Sequence, residues 1–285
     1  MIEFANTSFR YEHSGRGVSD ISFLVKSGEC VVLTGISGCG KTTVTRLVNG
    51  LAPSYYPGVF SGSVRIDGKE ISGLSTWEIG RLAGSVFQDP KSQFFSSELA
   101  GEVAFACENY GLSSQEIRRR TDDAIEEMTL SYLRDRPLDA ISSGEKQRTA
   151  IASVYAMKPK VFVCDEPTAN LDAAGTRQLA RTLKALKAQG YTLLIAEHRI
   201  DWLMEIADRF LYLRDGKIER AYAPKDLLLL PESDMLRMGL RAPHRRKQVS
   251  LPSVPDESPS VLKAAGVSKR IRKETILDEV SLSFP

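Results

Sequence analysis

The sequence predicts an α/β fold built around a parallel sheet, and three observations carry that prediction. A short apolar strand, Val31, Val32 and Leu33, runs into a glycine-rich loop and then into the helical stretch TTVTRLV. Beyond residue 30, continuous β-branched runs alternate with segments of helical period, as parallel strands joined by helical crossovers do. The first thirty residues and SVRIDGKE (63–70) read instead as antiparallel strands, the latter with an Asp67-Gly68 turn.

Taken in order, CVVLTGISGCGKTT (30–43) comes first. It contains Gly35-x-x-x-x-Gly40-Lys41-Thr42, the phosphate-binding P-loop. Glycines let successive backbone N–H groups turn inward around an anion, and the helix that follows adds the positive end of its dipole. Residues Gly35, Ile36, Ser37, Gly38, Cys39, Gly40, Lys41, Thr42 and Thr43 are therefore candidate nucleotide-binding residues. Lys41 would reach the β- and γ-phosphates, and Thr42 would place a hydroxyl on Mg²⁺. RRRTDDAIEEMTL (118–130) reads as an amphipathic helix with a solvated charged face. VFVC (161–164), TLLIA (192–196) and FLYL (210–213) read as buried parallel strands, and TRQLARTLKALKAQG (176–190) as a helix stopping at a glycine.

Bulk properties exclude little but bound much. A chain of 285 residues holds one large or two modest domains, and a net charge of +2 gives no global field to argue for nucleic acid as a partner. Cys30, Cys39, Cys107 and Cys164 have no metal-ligand spacing and read as reduced thiols of a cytosolic protein. No apolar run is long enough to span a bilayer, and MIEFANTSFRYE lacks the basic start and apolar stretch of a signal peptide, so any membrane role would come through a partner.

Two further stretches narrow the P-loop. VFVCDEP (161–167) is an apolar strand ending in two carboxylates, which at the tip of a buried strand are costly unless they meet a cation. Asp165 fits a Mg²⁺ ligand, direct or through water, and Glu166 is placed to polarise a water for attack on the γ-phosphate. ISSGEKQRTAIA (141–152) then puts Ser-Ser-Gly at the start of a helix, a second anion-binding helix end that suggests two domains closing over shared nucleotide.

With these motifs in this order, residues 1 to 230 resemble the ATP-binding cassette (ABC) family, whose signature is Leu-Ser-Gly-Gly-Gln. The resemblance implies a P-loop NTPase domain with a RecA-like mixed sheet, an antiparallel β subdomain and an α-helical signature subdomain. It implies ATP and Mg²⁺ as ligands, and a signature that contacts ATP held by the P-loop of a second ABC domain. Ser142 and Gly144 keep the two phosphate-facing positions, while Ile141, Ser143 and Glu145 depart from the pattern; Glu145 adds a negative charge near the nucleotide. Gln88 in SVFQDP (85–90) resembles the Q-loop glutamine that senses Mg²⁺ and the attacking water, and His198 in AEHR (196–199) the switch histidine that contacts the γ-phosphate. ANLD (169–172) resembles the D-loop, with Asp172 expected at the dimer interface. Tyr11 fits the aromatic that stacks on adenine, with Phe9 as a rival and a plain strand tyrosine as the alternative.

QDPKSQFFSSELAGEVAFACENYGL (88–112) resembles the matching segment of energy-coupling-factor transporter ATPases, which drive uptake of vitamins and transition-metal ions. The resemblance implies a groove for a membrane subunit, floored by Phe94, Phe95, Leu99 and Phe105, and a peripheral place on the cytoplasmic face of the membrane; core of the helical subdomain is the alternative for those side chains. The rival class is a soluble cassette ATPase of translation, repair or cluster assembly. The stretch between P-loop and signature has no heptads for a repair-type coiled coil, and the linker lacks the long charged helix of translation-type tandems. A regulatory module without turnover is weakened by the presence of both Glu166 and His198.

After residue 230 the composition turns rich in Pro, Ser and Arg, and 231–260 reads as a linker. Its basic cluster, Arg241, His244, Arg245, Arg246 and Lys247, reads as solvated, with contact to anionic lipid or nucleic acid as the alternative. VSKRIRKETILDEVSLSFP (267–285) then echoes TSFRYEHSGRGVSDISFLV (7–25), so 261–285 is expected to open a second copy of the domain.

Overall fold

Continuous apolar strands need cover on both faces, and the central sheet has it. The structure, a computed structural model, describes residues 1–240, 262–271 and 274–284, and the chain divides into two units, Met1–Pro243 and His244–Pro285.

The first unit opens with β1 (Ile2–Tyr11), β2 (Gly17–Val25) and β3 (Cys30–Thr34), followed by α1 (Lys41–Val48) and the one-turn α2 (Leu51–Ser54). Next come β4 (Gly58–Ile66), β5 (Lys69–Glu70), α3 (Thr76–Leu82) and β6 (Ala83–Val86). A helical block, α4 (Leu99–Asn109), α5 (Ser114–Glu127) and α6 (Ser143–Ala156), leads to β7 (Val161–Asp165), α7 (Ala173–Ala188) and β8 (Thr192–Ala196). The unit closes with β9 (Arg209–Arg214), β10 (Lys217–Tyr222), α8 (Pro224–Leu228) and α9 (Glu232–Arg237).

The central sheet runs β10-β9-β3-β8-β7-β6, parallel throughout except for the antiparallel β9–β10 edge. Its side chains alternate between two cores, as the two-residue strand period requires. Cys30, Val32, Phe162, Cys164, Leu193, Ile195 and Phe210 face the core shared with α4 to α7. Val31, Leu33, Val161, Val163, Leu194 and Leu211 face the core shared with α1 and the antiparallel strands. Those strands form a second sheet, β2-β1-β4-β5, whose inward face carries Ile2, Phe4, Phe9 and Ile21. Phe9 is thus a core residue at 1% exposure, which removes it as a rival adenine platform.

Helix ends follow local chemistry. Ser75 and Glu78 close a capping box on α3, the Ser113 hydroxyl accepts from Glu116 N on α5, and Gly190, at a positive φ of 89°, ends the chain's run beyond α7. Residues 231–240, which composition assigns to a linker, hold α9 instead. Pro231, Glu232 and Asp234 suit a helix N-terminus, and Met235 and Leu240 are buried in the unit's core. Just after α9, Gly239 (φ +69°) lies against the phosphate loop: a Cβ there would sit 2.2 Å from Cγ2 of Ile36. The basic cluster at 241–247 falls outside the described residues.

The second unit contributes a hairpin, β11 (Leu262–Ile271) and β12 (Glu274–Phe284). Its register reproduces that of β1–β2. Ile2↔Val25, Phe4↔Phe23, Thr7↔Ile21 and Phe9↔Val18 are matched by Leu262↔Phe284, Ala264↔Leu282, Val267↔Val280 and Lys269↔Leu277. Both hairpins shift register at the two corresponding steps, the second adding one between Lys269 and Arg270, with positive φ at Asp20 and at Glu279. Even the side-chain ties coincide. Asp20 N donates to Ser8 Oγ and Asn6 N to Ser22 Oγ, each at 2.9 Å, while Glu279 N donates to Ser268 Oγ at 2.9 Å and Gly266 N to Ser281 Oγ at 3.0 Å.

Candidate functional site

The C-terminal ends of parallel strands are where open α/β sheets bind ligands, and the predicted residues gather there. β3 delivers the phosphate loop, β7 delivers Asp165 and Glu166, β8 delivers His198, and β6 leads to Gln88.

The loop's shape depends on glycine at two places. At Gly35 (φ +143°) a Cβ would stand 2.2 Å from the Leu213 carbonyl oxygen, and at Gly40 (φ +111°) 2.8 Å from Val18 Cγ1. Gly40 is the N-cap of α1, which has neither a side-chain cap nor an acid in its first turn, so the helix's leading N–H groups face the loop unanswered. Ile36, Ser37 and Gly38 are exposed along the loop's outer arc, whereas Thr43 is buried in α1. Cys39 is buried, and burial pushes its thiol up, against the pull of Lys41. Lys41, only 3% exposed, donates Nζ to the Gly35 and Ile36 carbonyls at 3.0 and 3.1 Å and stands 4.0 Å from Glu166 Oε1.

Thr42 Oγ1 donates to Asp165 Oδ1 at 3.2 Å, and Thr45 Oγ1 reaches Oδ2 at 3.4 Å. Burial, with the Glu166 charge added, pushes the Asp165 carboxyl above its ordinary range, although Thr42 and Thr45 pull the other way. A half-buried carboxylate beside a hydroxyl is a hard-oxygen donor set that suits Mg²⁺. Among the described residues no cluster of three or more His, Cys, Asp or Glu could hold a metal alone, so substrate oxygens and water would have to complete such a site. Glu166 follows directly, in a left-handed conformation (φ +43°) with its N–H bonded to Ala196 O at 2.8 Å. Its Oε1 lies 3.7 Å from His198 Nδ1.

Sequence reasoning missed Glu197, between the end of β8 and His198. It is fully buried. Oε1 accepts from His198 N at 2.9 Å and Arg199 N at 3.0 Å, and Oε2 accepts from Thr168 Oγ1 at 2.5 Å. The Arg199 guanidinium donates to the Thr168 carbonyl. The available signal was an acid at the end of an otherwise apolar strand, the same signal that marks Asp165.

Gln88 is exposed. Its carbonyl accepts from Asn170 Nδ2 at 3.4 Å, and among the described residues no hydrogen bond ties its side chain to Thr42 or Asp165. The loop after β6 is held by Gln93, whose amide accepts from Phe87 N and donates to Ser85 O. Tyr11 is half-buried at the end of β1. Its hydroxyl accepts from Arg46 at 3.1 Å, and the Arg46 guanidinium lies 3.8 Å from the Tyr56 ring centre.

The signature residues are not part of this cluster. Ser142 caps α6, and Ser142, Ser143, Gly144 and Glu145 line a separate cavity of about 660 Å³ with Asn170, Asp172 and Gly175; no phosphate-loop residue lines it. Asp172 caps α7 by accepting from Gly175 N at 2.7 Å. Glu145 turns back on its own helix. Its Oε2 accepts from Ser142 N at 2.7 Å while Ser142 Oγ accepts from Glu145 N, and its Oε1 accepts from the Tyr132 hydroxyl at 2.7 Å. Burial pushes its carboxyl up, but those donors outweigh burial and hold it below the ordinary range.

A groove of about 690 Å³ lies between α3, α4 and the β6 loop. Phe95, 75% exposed, stacks on Phe105 at 4.8 Å, and both line it. The expected floor needs correction for Phe94 and Leu99. Leu99 is fully buried and Phe94 packs against the helical core, because the α4 N-terminus turns that side inward. Trp77 and Tyr110 take their place, with the Tyr110 hydroxyl donating to Trp77 O at 2.7 Å. Buried Glu102 fixes the rim by accepting from Phe95 N and Ser96 N at 2.8 and 2.9 Å.

Comparison with known proteins places this geometry. Residues 18–169 match the family described as ABC transporter. A putative ABC transporter ATP-binding protein of Treponema denticola is 41% identical over 242 residues, 85% of this chain and 50% of that protein. One of Pyrococcus abyssi is 39% identical over 249 residues, 87% of this chain and 89% of that protein. The chain spans about half the length of the Treponema relatives it matches. Among solved structures, CbiO1 of Clostridium perfringens, described as part of the ABC transporter complex CbiONQ, superposes with a TM-score of 0.73 at 31% identity, covering 83% of this chain and 92% of that one. A bacterial ABC transporter cassette solved as a dimer superposes with a TM-score of 0.67 at 25% identity, covering 79% of this chain and 99% of the other.

Proposed function

Because the chain belongs to the ABC transporter family and carries its ATPase domain, we propose that it is the first cassette of a tandem energy-coupling-factor ATPase, powering uptake of a vitamin or transition-metal ion. One observation carries the ATPase reading: Lys41, Thr42, Asp165, Glu166 and His198 converge at the C-terminal edge of one sheet, while the signature turn lines a cavity of its own. Two phosphate-grasping ends that do not face a common site within one domain are what a nucleotide shared between two domains requires. The second domain is the proposed partner, and its first strands would be β11 and β12, whose register and side-chain ties repeat those of β1 and β2. The energy-coupling-factor type is supported by the likeness to CbiO1 and by the exposed Phe95–Phe105 groove, which we read as the seat of a membrane subunit. Among the described residues no helix is long and apolar enough to cross a membrane, so the cassette would sit peripherally, on the cytoplasmic face.

In this reading Mg²⁺ would be held by Thr42 and Asp165, with Gln88 drawn in on closure, and would neutralise phosphate charge. Lys41 and the bare N–H groups at the start of α1 bind the phosphates. Glu166 polarises the attacking water and His198 orients it, while Tyr11 stacks on adenine. In the partner's site, Ser142 and Gly144 close over the nucleotide and Asp172 meets the opposite domain.

Glu166→Gln tests it. We expect nucleotide binding within about twofold of wild type and hydrolysis reduced about 100-fold or more in the assembled complex. Hydrolysis at the wild-type rate would remove Glu166 as the base. Membrane proteins should co-purify with the full-length protein; ribosomes or DNA in their place would favour the soluble class.

A further inference from the structure

Glu197 is an acidic side chain fully withdrawn from water, which is costly in general unless its oxygens are answered. The answers are specific. One oxygen takes the two backbone N–H groups that open the His198 loop, and the other takes the hydroxyl of Thr168, itself fully buried between Glu166 and the Asn170–Asp172 turn. The backbone of Glu197 is anchored as well, its N–H donating to Leu33 O on β3, one residue before the strand's last residue. A carboxylate is the side chain that can accept on every side at once; an amide must present an N–H₂ to at least one of these neighbours.

One contact is left incomplete. Nδ1 of His198 is screened from solvent and, among the described residues, has no aligned hydrogen-bond partner, yet it lies 3.3 Å from Glu197 Oε1. The two atoms are within hydrogen-bonding distance, so alignment alone is what the pair lacks. Glu166 Oε1, at 3.7 Å, is the other carboxylate the ring faces.

We propose that Glu197 is the positioning residue of His198. It holds the backbone of the loop, accepts a hydrogen bond from a proton that stays on Nδ1, and so leaves Nε2 as the ring atom that faces the nucleotide. Through Thr168 the same carboxylate ties the ring's orientation to the turn that carries Asn170 and Asp172, and hence to the cavity lined by the signature. The inference rests on the reading of His198 given above and adds to it the group that sets the imidazole.

The test uses the full-length protein in its assembled complex, with four variants and one spectrum. His198→Ala should lower kcat about 100-fold. Glu197→Gln should lower kcat about 10-fold, with KM for ATP and the Kd of a fluorescent MgATP analogue within about twofold. In the His198→Ala background the same Glu197→Gln change should add no more than about twofold, since a group acting through the ring loses its effect when the ring is gone. Thr168→Val should reproduce part of the Glu197→Gln loss. In ¹⁵N-histidine-labelled protein, His198 should carry its proton on Nδ1, and Glu197→Gln should shift that resonance. An unchanged kcat for Glu197→Gln while His198→Ala is inactive overturns the inference alone. An equal Glu197→Gln loss in both backgrounds also overturns it, leaving Glu197 as a turn-former. A wild-type kcat for His198→Ala overturns the histidine reading and this inference with it. If Glu197→Gln fails to bind the analogue, the wild-type spectrum decides: an unprotonated Nδ1 refutes the proposal.

Discussion

Two helix N-termini in the first unit lie where the sequence predicts phosphate, and they are finished differently. α1 starts at a left-handed glycine with no side-chain cap and no acid in its first turn. α6 starts at a serine whose capping box is closed by Glu145, a carboxylate pinned further by Tyr132. The first end is left bare and depends on a ligand to answer its N–H groups. The second answers two of its own donors, Ser142 N and Glu145 N, and on the proposed reading a phosphate reaching the N–H groups of Ser143 and Gly144 would meet a helix end that already holds a negative charge. This also resolves the departure of Glu145 from glutamine. Both residue types close a capping box, so the substitution keeps the local structure and changes only the charge.

Substitutions at three positions sharpen that contrast, the largest effect falling on the bare end. Gly35→Ala forces a Cβ into the Leu213 carbonyl at 2.2 Å, and neither backbone can yield cheaply. We expect nucleotide affinity to fall about 100-fold, with about 2–4 kcal/mol lost in denaturant unfolding. A Gly35→Ala protein that binds MgATP normally would break the claim that the loop's closed shape makes the site. On the capped end, Glu145→Ala should lower stability by about 1–2 kcal/mol, whereas Glu145→Gln should keep it within about 0.5 kcal/mol and raise ATP turnover about threefold. The pH dependence has a definite sign. The folded carboxyl of Glu145 is depressed, so its stabilisation is full above the ordinary unfolded value of about 4.3 and disappears as pH falls through the lower folded value. Thermal melts of wild type and Glu145→Ala should therefore converge in acid. The smallest effect belongs to Tyr132→Phe, which removes one hydrogen bond to Glu145 and should lower stability by about 0.5–1 kcal/mol without changing nucleotide affinity.

The bare end was legible in the sequence because its chemistry is local: glycine, lysine and threonine at fixed spacing, and two acids at a strand tip. The parallel strands were legible for a similar reason, as short apolar runs bounded by glycine or acid. The α9 helix was not, since Pro, Ser and Asp signal both a linker and a helix start, and only Met235 and Leu240 in the core separate the two. Phe94 and Phe95 are neighbours with opposite fates, one packed on the core and one in the groove, and no periodicity precedes α4 to tell them apart. Ser142-x-x-Glu145 has the spacing of a capping box, but the same residues also form the signature, so the sequence does not separate the two roles. Glu197 is harder to read because its one signal, an acid ending an apolar strand, stands beside a histidine that draws the role to itself; its partners, Thr168 in the turn after β7 and the Leu33 carbonyl on β3, are far away in sequence.

Gly239 leans on Ile36 so closely that a methyl group would not fit between them. The last described stretch of the first unit is therefore a mechanical neighbour of the nucleotide's cradle. Any pull that peeled residues 231–240 from the core would act on the loop's outer arc as well as on the buried Met235 and Leu240. Tension along the polypeptide and the state of the loop thus meet where Gly239 packs on Ile36.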